Sequence, residues 1–230
     1  MVMRLTTDDH GRIATAIQQA EANTSGEVFC VIARSVSSYQ DVGLAWAAAA
    51  AFILPLALVP LGFDPAWLPG LADTWEPAHL AARDFAIARS IGAYAVIQAA
   101  VFLAFYLLGR IPTVKRWMTP RSVRRHRTRQ AALRQFMAHG LHLTEQRTGV
   151  LLFACAADHQ VEVLADQGIH DKVDPEVWGE AVKALTAGLA AKRPVDGFEK
   201  AIALCGDVLA AHFPPRPNDI NELPDRLVEI

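Results

Sequence analysis

Cysteine is scarce in this 230-residue chain, three residues in all, and none stands near another. Cys30, Cys155 and Cys205 each lie inside an apolar run, which excludes a disulfide framework and reads as buried, reduced thiols. Charge is thin too: 20% of residues are charged against 52% hydrophobic, with a mean hydropathy of +0.20. That composition excludes a disordered or collagen-like chain and is too apolar for an ordinary soluble domain. The opening MVMRLTTDDHGR has no apolar core and does not read as a cleaved signal peptide. Gly-x-Ser-x-Gly, the phosphate-binding P-loop, Cys-x-x-Cys and His-Glu-x-x-His are all missing, so the common hydrolase, nucleotide and zinc chemistries have no motif here.

What is present in excess is uncharged apolar sequence, in two places. Leu44 to Leu61 and Ile91 to Leu108 are 18 residues each without a formal charge. At 1.5 Å per residue each helix would extend about 27 Å, close to the hydrocarbon thickness of a bilayer. The spacing predicts a transmembrane hairpin over 44–108, with an outer loop over 62–90 in which Trp67 and Trp75 lie at the interface. Trp46 and Trp117 are expected to anchor the opposite face. Positions 109–129 carry Arg110, Lys115, Arg116, Arg121, Arg124, Arg125, Arg127 and Arg129 with no acid, whereas the outer loop has only Arg83 and Arg89. The excess of basic residues places this juxtamembrane linker and both termini on the cytoplasmic side of an inner membrane. Arg110, Lys115, Arg116, Arg121, Arg124 and Arg125 are the expected contacts to the lipid bilayer.

Around these spans the pattern is that of an α/β domain. Thr6 to Asp9 begins a helix with Ile13 and Ile17 at helical spacing, and Glu27 to Ala33 is an apolar β-branched run that reads as a strand buried on both faces. Leu133, Phe136, Met137 and Leu141 predict an amphipathic helix over about 121–143, with Met137 in the core. Val150 to Ala156 and Val161 to Ala165 then predict an antiparallel hairpin. Two further helices follow, one after Pro175 through Leu185 and one carrying Phe198, Ile202, Cys205 and Leu209. Leu223 to Ile230 is an extended tail expected to pair with a sheet edge or cross the domain. An even number of spans returns the chain to one compartment, and residues 1–43 are too few for a core of their own. The expectation is therefore one discontinuous domain, 1–43 with 130–230: a sheet of about three to four strands sandwiched by helices. Its 12 basic and 20 acidic residues argue against nucleic acid as a partner.

The run Glu145-Gln-Arg-Thr-Gly-Val-Leu-Leu-Phe, then Val161-Glu-Val-Leu-Ala-Asp-Gln-Gly-Ile-His170, then Phe213-Pro-Pro and Asn221-Glu-Leu-Pro-Asp225, resembles the TPM domain family, and more closely its bacterial predicted membrane proteins. The resemblance covers about 1–34 and 133–225 and implies a few-stranded sheet between helices. It implies no single function, because the family includes thylakoid acid-phosphatase-like proteins, photosystem-repair factors and bacterial membrane proteins of other kinds. Functional members carry acids in the hairpin turn and a Gly-x-Gly-Leu-Glu loop after it, residues associated with metal. Asp158 matches one turn acid, beside Ala157 where relatives often have a second. Gly168-Ile169 match Gly-Leu, Asp166 stands at the first glycine and His170 replaces the glutamate.

Asp158, Asp166, His170 and Asp171, with His159, form the best polar constellation and would be the ligands of a divalent metal, the one cofactor for which the sequence offers a place. The competing reading is turn chemistry, with Asp158 in an Asx turn and Asp171 or Asp174 capping a helix. His139-x-x-His142-x-x-Glu145 has poor geometry for a metal, since each step of three falls about 60° short of a full helical turn and the third member drifts off the face. The function expected is thus a membrane-anchored, non-catalytic binding or accessory domain acting on a membrane protein or assembly, with a metal-assisted phosphatase as the alternative.

Overall fold

A computed structural model describes residues 5–58, 60, 79–216 and 220–230, and of residues 79–90 and 175 the backbone alone. In chain order the elements are α1 (Thr7–Glu21), β1 (Glu27–Ala33), α2 (Gln40–Leu58), α3 (His79–Leu108), α4 (Pro112–Met118), α5 (Arg121–Ala138), β2 (Gly149–Cys155), β3 (Gln160–Ala165), α6 (Gln167–His170), α7 (Gly179–Ala190), α8 (Pro194–His212) and β4 (Leu227–Glu229). They form two compact units, residues up to 37 with 121–230, and residues 38–120.

The first unit is built on a mixed four-stranded sheet of order β3-β2-β1-β4. β1 runs parallel to both β2 and β4, and β2 runs antiparallel to β3. The apolar runs Val28–Ala33 of β1 and Val150–Cys155 of β2 follow from their place, since every residue of both strands is buried. Alternate side chains feed two cores. Val28, Cys30 and Ile32 with Val150, Leu152 and Ala154 meet Ile13 and Ile17 of α1, Leu185 of α7 and Phe198, Ile202 and Leu209 of α8. On the opposite face Phe29, Val31, Leu151 and Phe153 meet Ala131, Ala132 and Phe136 of α5. The extended tail is the fourth strand: Leu227, Val228 and Glu229 pair with Cys30, Val31 and Ile32.

Local chemistry fixes the helix starts. Thr6 and Asp9 form a reciprocal capping box on α1, Asp166 caps α6, and Asp174 caps a 3-10 turn, Pro175–Trp178, that leads into α7. α7 and α8 pack closely because Gly188 and Gly197 face each other; a Cβ built on Gly188 would lie 2.6 Å from the Gly197 Cα.

α5 departs from the sequence reading. It ends at Ala138, and Gly140 turns the chain in the left-handed conformation at φ 72°. Its buried face is Arg124, Thr128, Ala131, Ala132 and Phe136. Met137, expected in the core, is 56% exposed and Leu133 is 45% exposed. Phe136 fills the core from this face and the small side chains of Ala131, Ala132 and Thr128 beside it let the helix sit close to the sheet, which leaves Leu133 and Met137 outside.

In the second unit, α2 packs against α3, with Ala47, Ala51 and Pro55 buried on α2 and Ala93 on α3. α3 begins at His79, inside the stretch expected to be loop, and its 30 residues would extend about 45 Å. Its first turns hold Arg83, Asp84 and Arg89, and the uncharged part starts at Ile91. The expected interfacial Trp67 and Trp75 lie outside the described residues.

Candidate functional site

Two helices of this chain, Gln40–Leu58 and Ile91–Leu108 within α3, are long and apolar enough to cross a membrane. Their outer surfaces are apolar where water would demand polarity. Phe52, Ile53 and Leu56 on α2 and Ile91, Val96 and Leu103 on α3 are between 55% and 66% exposed. Large apolar side chains left outward on both helices are the composition that suits contact with lipid or another apolar partner. One end of the pair carries amphipathic groups. The Trp46 indole donates to the Met118 carbonyl at 2.9 Å. Lys115 lies 5.8 Å from the Tyr39 ring centre and Arg110 lies 5.5 Å from that of Tyr106. A small cleft of about 140 Å³ opens among Tyr39, Gly43, Tyr106, Gly109 and Lys115. Trp117 is 88% exposed beside Arg116 on α4. Aromatic rings with cations are the composition of a headgroup-level belt.

The six expected lipid contacts divide between the two units. Arg110, Lys115 and Arg116 belong to the helix-pair unit, and Arg121, Arg124 and Arg125 begin α5 in the sheet unit. Arg121 and Arg125 are exposed. Arg124 is buried on the inner face of α5, and its Nε has no hydrogen-bond partner among the described residues. It is therefore ill placed for a headgroup. Arg125 and Arg129 reach Glu162 of β3 at 3.7 and 3.6 Å. Burial raises the Glu162 carboxyl above its ordinary value, and these two guanidiniums act in the opposite direction.

The expected metal ligands are not gathered. Asp158 precedes β3 and Asp166 follows it, so an extended strand, roughly 20 Å at 3.3 Å per residue, separates the two carboxylates. Asp158 is buried in the β2–β3 turn, where it accepts a hydrogen bond from the Cys155 thiol at 3.4 Å. At the far end, Asp166 Oδ1 accepts the Gln167 N–H at 2.7 Å and its Oδ2 is buried without a partner among the described residues. His170 and Asp171 are exposed at the end of α6, with Asp171 as its C-cap. His159 stays with Asp158 at the turn, at φ 50°. Gly168 is required by packing, since a Cβ there would strike the Gln146 carbonyl. Among the described residues no group of three or more His, Cys, Asp or Glu side chains is arranged to hold a metal ion. The His139, His142 and Glu145 series is dispersed likewise. His139 bonds Gln135 and packs its ring 4.5 Å from Phe29, with burial lowering its basicity. Glu145 pairs with Arg216 at 2.9 Å.

The polar centre that sequence reasoning missed joins the chain ends. Glu27, at the start of β1, accepts the main-chain N–H groups of Glu222 and Leu223 through its two carboxylate oxygens. The Glu222 carboxylate accepts the Glu145 N–H at 2.9 Å. Glu21 accepts the Val28 N–H at 2.8 Å and shares a hydrogen bond with Asp225. Burial pushes the Glu21 carboxyl up to about 8, and Glu27 and Asp225 beside it add to the rise. The only signal in the sequence was the pairing of a Ser-Gly-Glu turn with a distant Asn-Glu-Leu-Pro-Asp motif.

No protein-family model and no curated protein sequence matches the chain. It is similar in structure to the BA42 protein of the psychrophilic bacterium Bizionia argentinensis, solved by NMR, with a TM-score of 0.56 at 17% identity over 100% of this chain and 98% of that one. At that identity the likeness is one of fold.

Proposed function

We propose that the chain is a membrane-anchored accessory protein of the TPM-like kind. The α2–α3 pair spans the inner membrane twice, both termini are cytoplasmic, and the sheet unit acts without catalysis on a membrane protein or assembly. The observation that carries the anchor is the apolar outer surface of α2 and α3, with Phe52, Ile53, Leu56, Ile91 and Leu103 turned outward. The orientation rests on the eight basic residues of 109–129. Support for an accessory role comes from the dispersal of Asp158 and Asp166 to opposite ends of β3.

The test has two arms. Alkaline phosphatase fused to either terminus should be inactive in cells, while a cysteine replacing Asp73 should be labelled from outside by an impermeant reagent; the opposite pattern overturns the topology. The purified full chain is then titrated with calcium, magnesium, manganese and zinc and assayed on a generic phosphomonoester. Metal-dependent turnover that is lost in Asp158→Ala and Asp166→Ala would replace the accessory reading with a phosphatase.

A further inference from the structure

β3 is an edge of the sheet, and its outer side is open. The Asp166 N–H bonds the Gly149 carbonyl, so in the β2–β3 ladder residues 160, 162 and 164 face β2 and residues 161, 163 and 165 face away. The other side of β2 agrees, since the Ala156 N–H bonds the Ala33 carbonyl toward β1. Val161, Val163 and Ala165 therefore present main-chain N–H and C=O groups outward, and no hydrogen bond among the described residues uses them. Edges of this kind are commonly blunted by lysine, proline or a covering segment. β3 has no lysine or proline. Instead, a groove of about 690 Å³ runs along all six of its residues, between Arg125 and Arg129 of α5 and Val182 and Thr186 of α7.

The walls of this groove specify chemistry. The Arg125 and Arg129 side chains are 75% and 57% exposed, and both reach the single carboxylate of Glu162 at distances longer than a hydrogen bond. On the α5 side one acid thus faces two guanidiniums that line the groove, and Glu176 is the other acid of the lining. The arginines are one helical turn apart, about 6 Å of rise. Alternate side chains of a strand are about 6.6 Å apart, so acids at every second position of an added strand match the arginine spacing. Pairing two copies of this chain edge to edge would instead set the arginine rows of both α5 helices against each other.

We propose that β3 takes up an extended, carboxylate-bearing segment of a partner protein as a fifth strand, with main-chain bonds to Val161, Val163 and Ala165 and with Arg125 and Arg129 reading alternate acids. This rests on the accessory reading above and names the partner's chemistry.

The test uses the full chain in phosphatidylcholine nanodiscs and a fluorescent peptide of alternating valine and glutamate. Binding should slow amide exchange at Val161, Val163 and Ala165 and should be about tenfold or more tighter than for a valine and lysine peptide. N-methylation of alternate peptide amides should abolish it. The double variant Arg125→Glu with Arg129→Glu should reverse the charge preference, a readout that an unfolded protein could not produce. Val163→Pro, which removes an N–H outside the β2 ladder, should stay folded and lose the peptide. Binding that ignores N-methylation or peptide charge overturns the proposal. So does protection of β3 without peptide that depends on protein concentration, which would mark a second copy as the occupant. Protection of α5 by phosphatidylglycerol with β3 left exchanging would assign the arginines to lipid and overturn it too. Each of these failures is distinct from metal-dependent turnover, the result that would remove the accessory reading itself.

Discussion

Glu27 Oε1 accepts the main-chain N–H of Glu222 at 3.1 Å, across 195 positions of sequence. Its second oxygen takes the N–H of Leu223, so one carboxylate at the start of a central strand holds the segment leading into β4. Glu27→Ala should cost about 1–3 kcal/mol, the range for stranding partly buried donors. Leu227→Ala, which empties a core position only 4% exposed, should cost about 2–5 kcal/mol. Both are read from thermal unfolding of the full chain in mild detergent. In Glu27→Ala the loss should come with faster amide exchange across 221–229.

The half-buried Glu21 makes stability fall with rising pH. Its folded value is about 8 against an ordinary 4.5. Between these values the native state holds a proton that the unfolded state has released, so the contribution is full below about pH 4.5, declines as pH rises through 8 and is level above it. The slope from this group is no steeper than about 1.4 kcal/mol per pH unit. Burial raises Glu27 as well, which adds to the same trend. Glu21→Gln keeps an acceptor for the Val28 N–H and removes the titration. Its unfolding midpoint should vary less between pH 5 and pH 8, on the order of half the wild-type change; an unaltered profile would place the pH dependence elsewhere.

Two glycines in helices should respond to alanine with opposite signs. Gly188 in α7 faces Gly197 of α8, where a Cβ meets backbone on the other side. Gly188→Ala should destabilise by about 1–3 kcal/mol through forced separation of the helices. Gly11 in α1 has nothing within 4 Å of a built Cβ, and Gly11→Ala should stabilise by about 0.5–1 kcal/mol through helix propensity alone. Matching signs in denaturant unfolding would refute the close α7–α8 contact.

The thiols should be inert in the native state. Cys30, Cys155 and Cys205 are each fully buried, and burial pushes Cys155 up to about 11, Cys205 up to about 12 and Cys30 well above its ordinary value. An impermeant thiol reagent at neutral pH should label none of them faster than the protein unfolds. Rapid labelling of one cysteine would locate a local opening. A cysteine introduced for topology mapping can therefore be read against a silent background.

The sandwich was legible where burial alone dictates sequence. Residues covered on both faces are apolar nearly throughout, so Val28 to Ala33 and Val150 to Cys155 announced β1 and β2, and Thr6 to Asp9 marked the start of α1. β4 was harder, because three residues carry little pattern and their partner strand lies nearly two hundred positions away. The α5 face was hidden by its own composition: alanine and threonine at the sheet, leucine and methionine outside. The candidate ligands lie apart for a different reason. Asp158 and Asp166 are eight positions apart, and closeness in sequence gives way to distance once the residues between them extend as β3.

β1 ends at residue 33, and the strands on either side of it begin at 149 and 227. A ribosome therefore delivers the centre of the sheet first and its two neighbours last. Until β2 is made β1 has both edges unpaired while the two apolar helices leave the exit tunnel, and one edge stays open until β4 follows. At about 5–20 residues per second the wait for β4 lasts on the order of ten seconds or more. Pairing over such separations is also intrinsically slow. The nascent chain must therefore keep the apolar run Val28–Ala33 from aggregating until β4 is made. A product that stops before Leu227 would keep one edge of its central strand open.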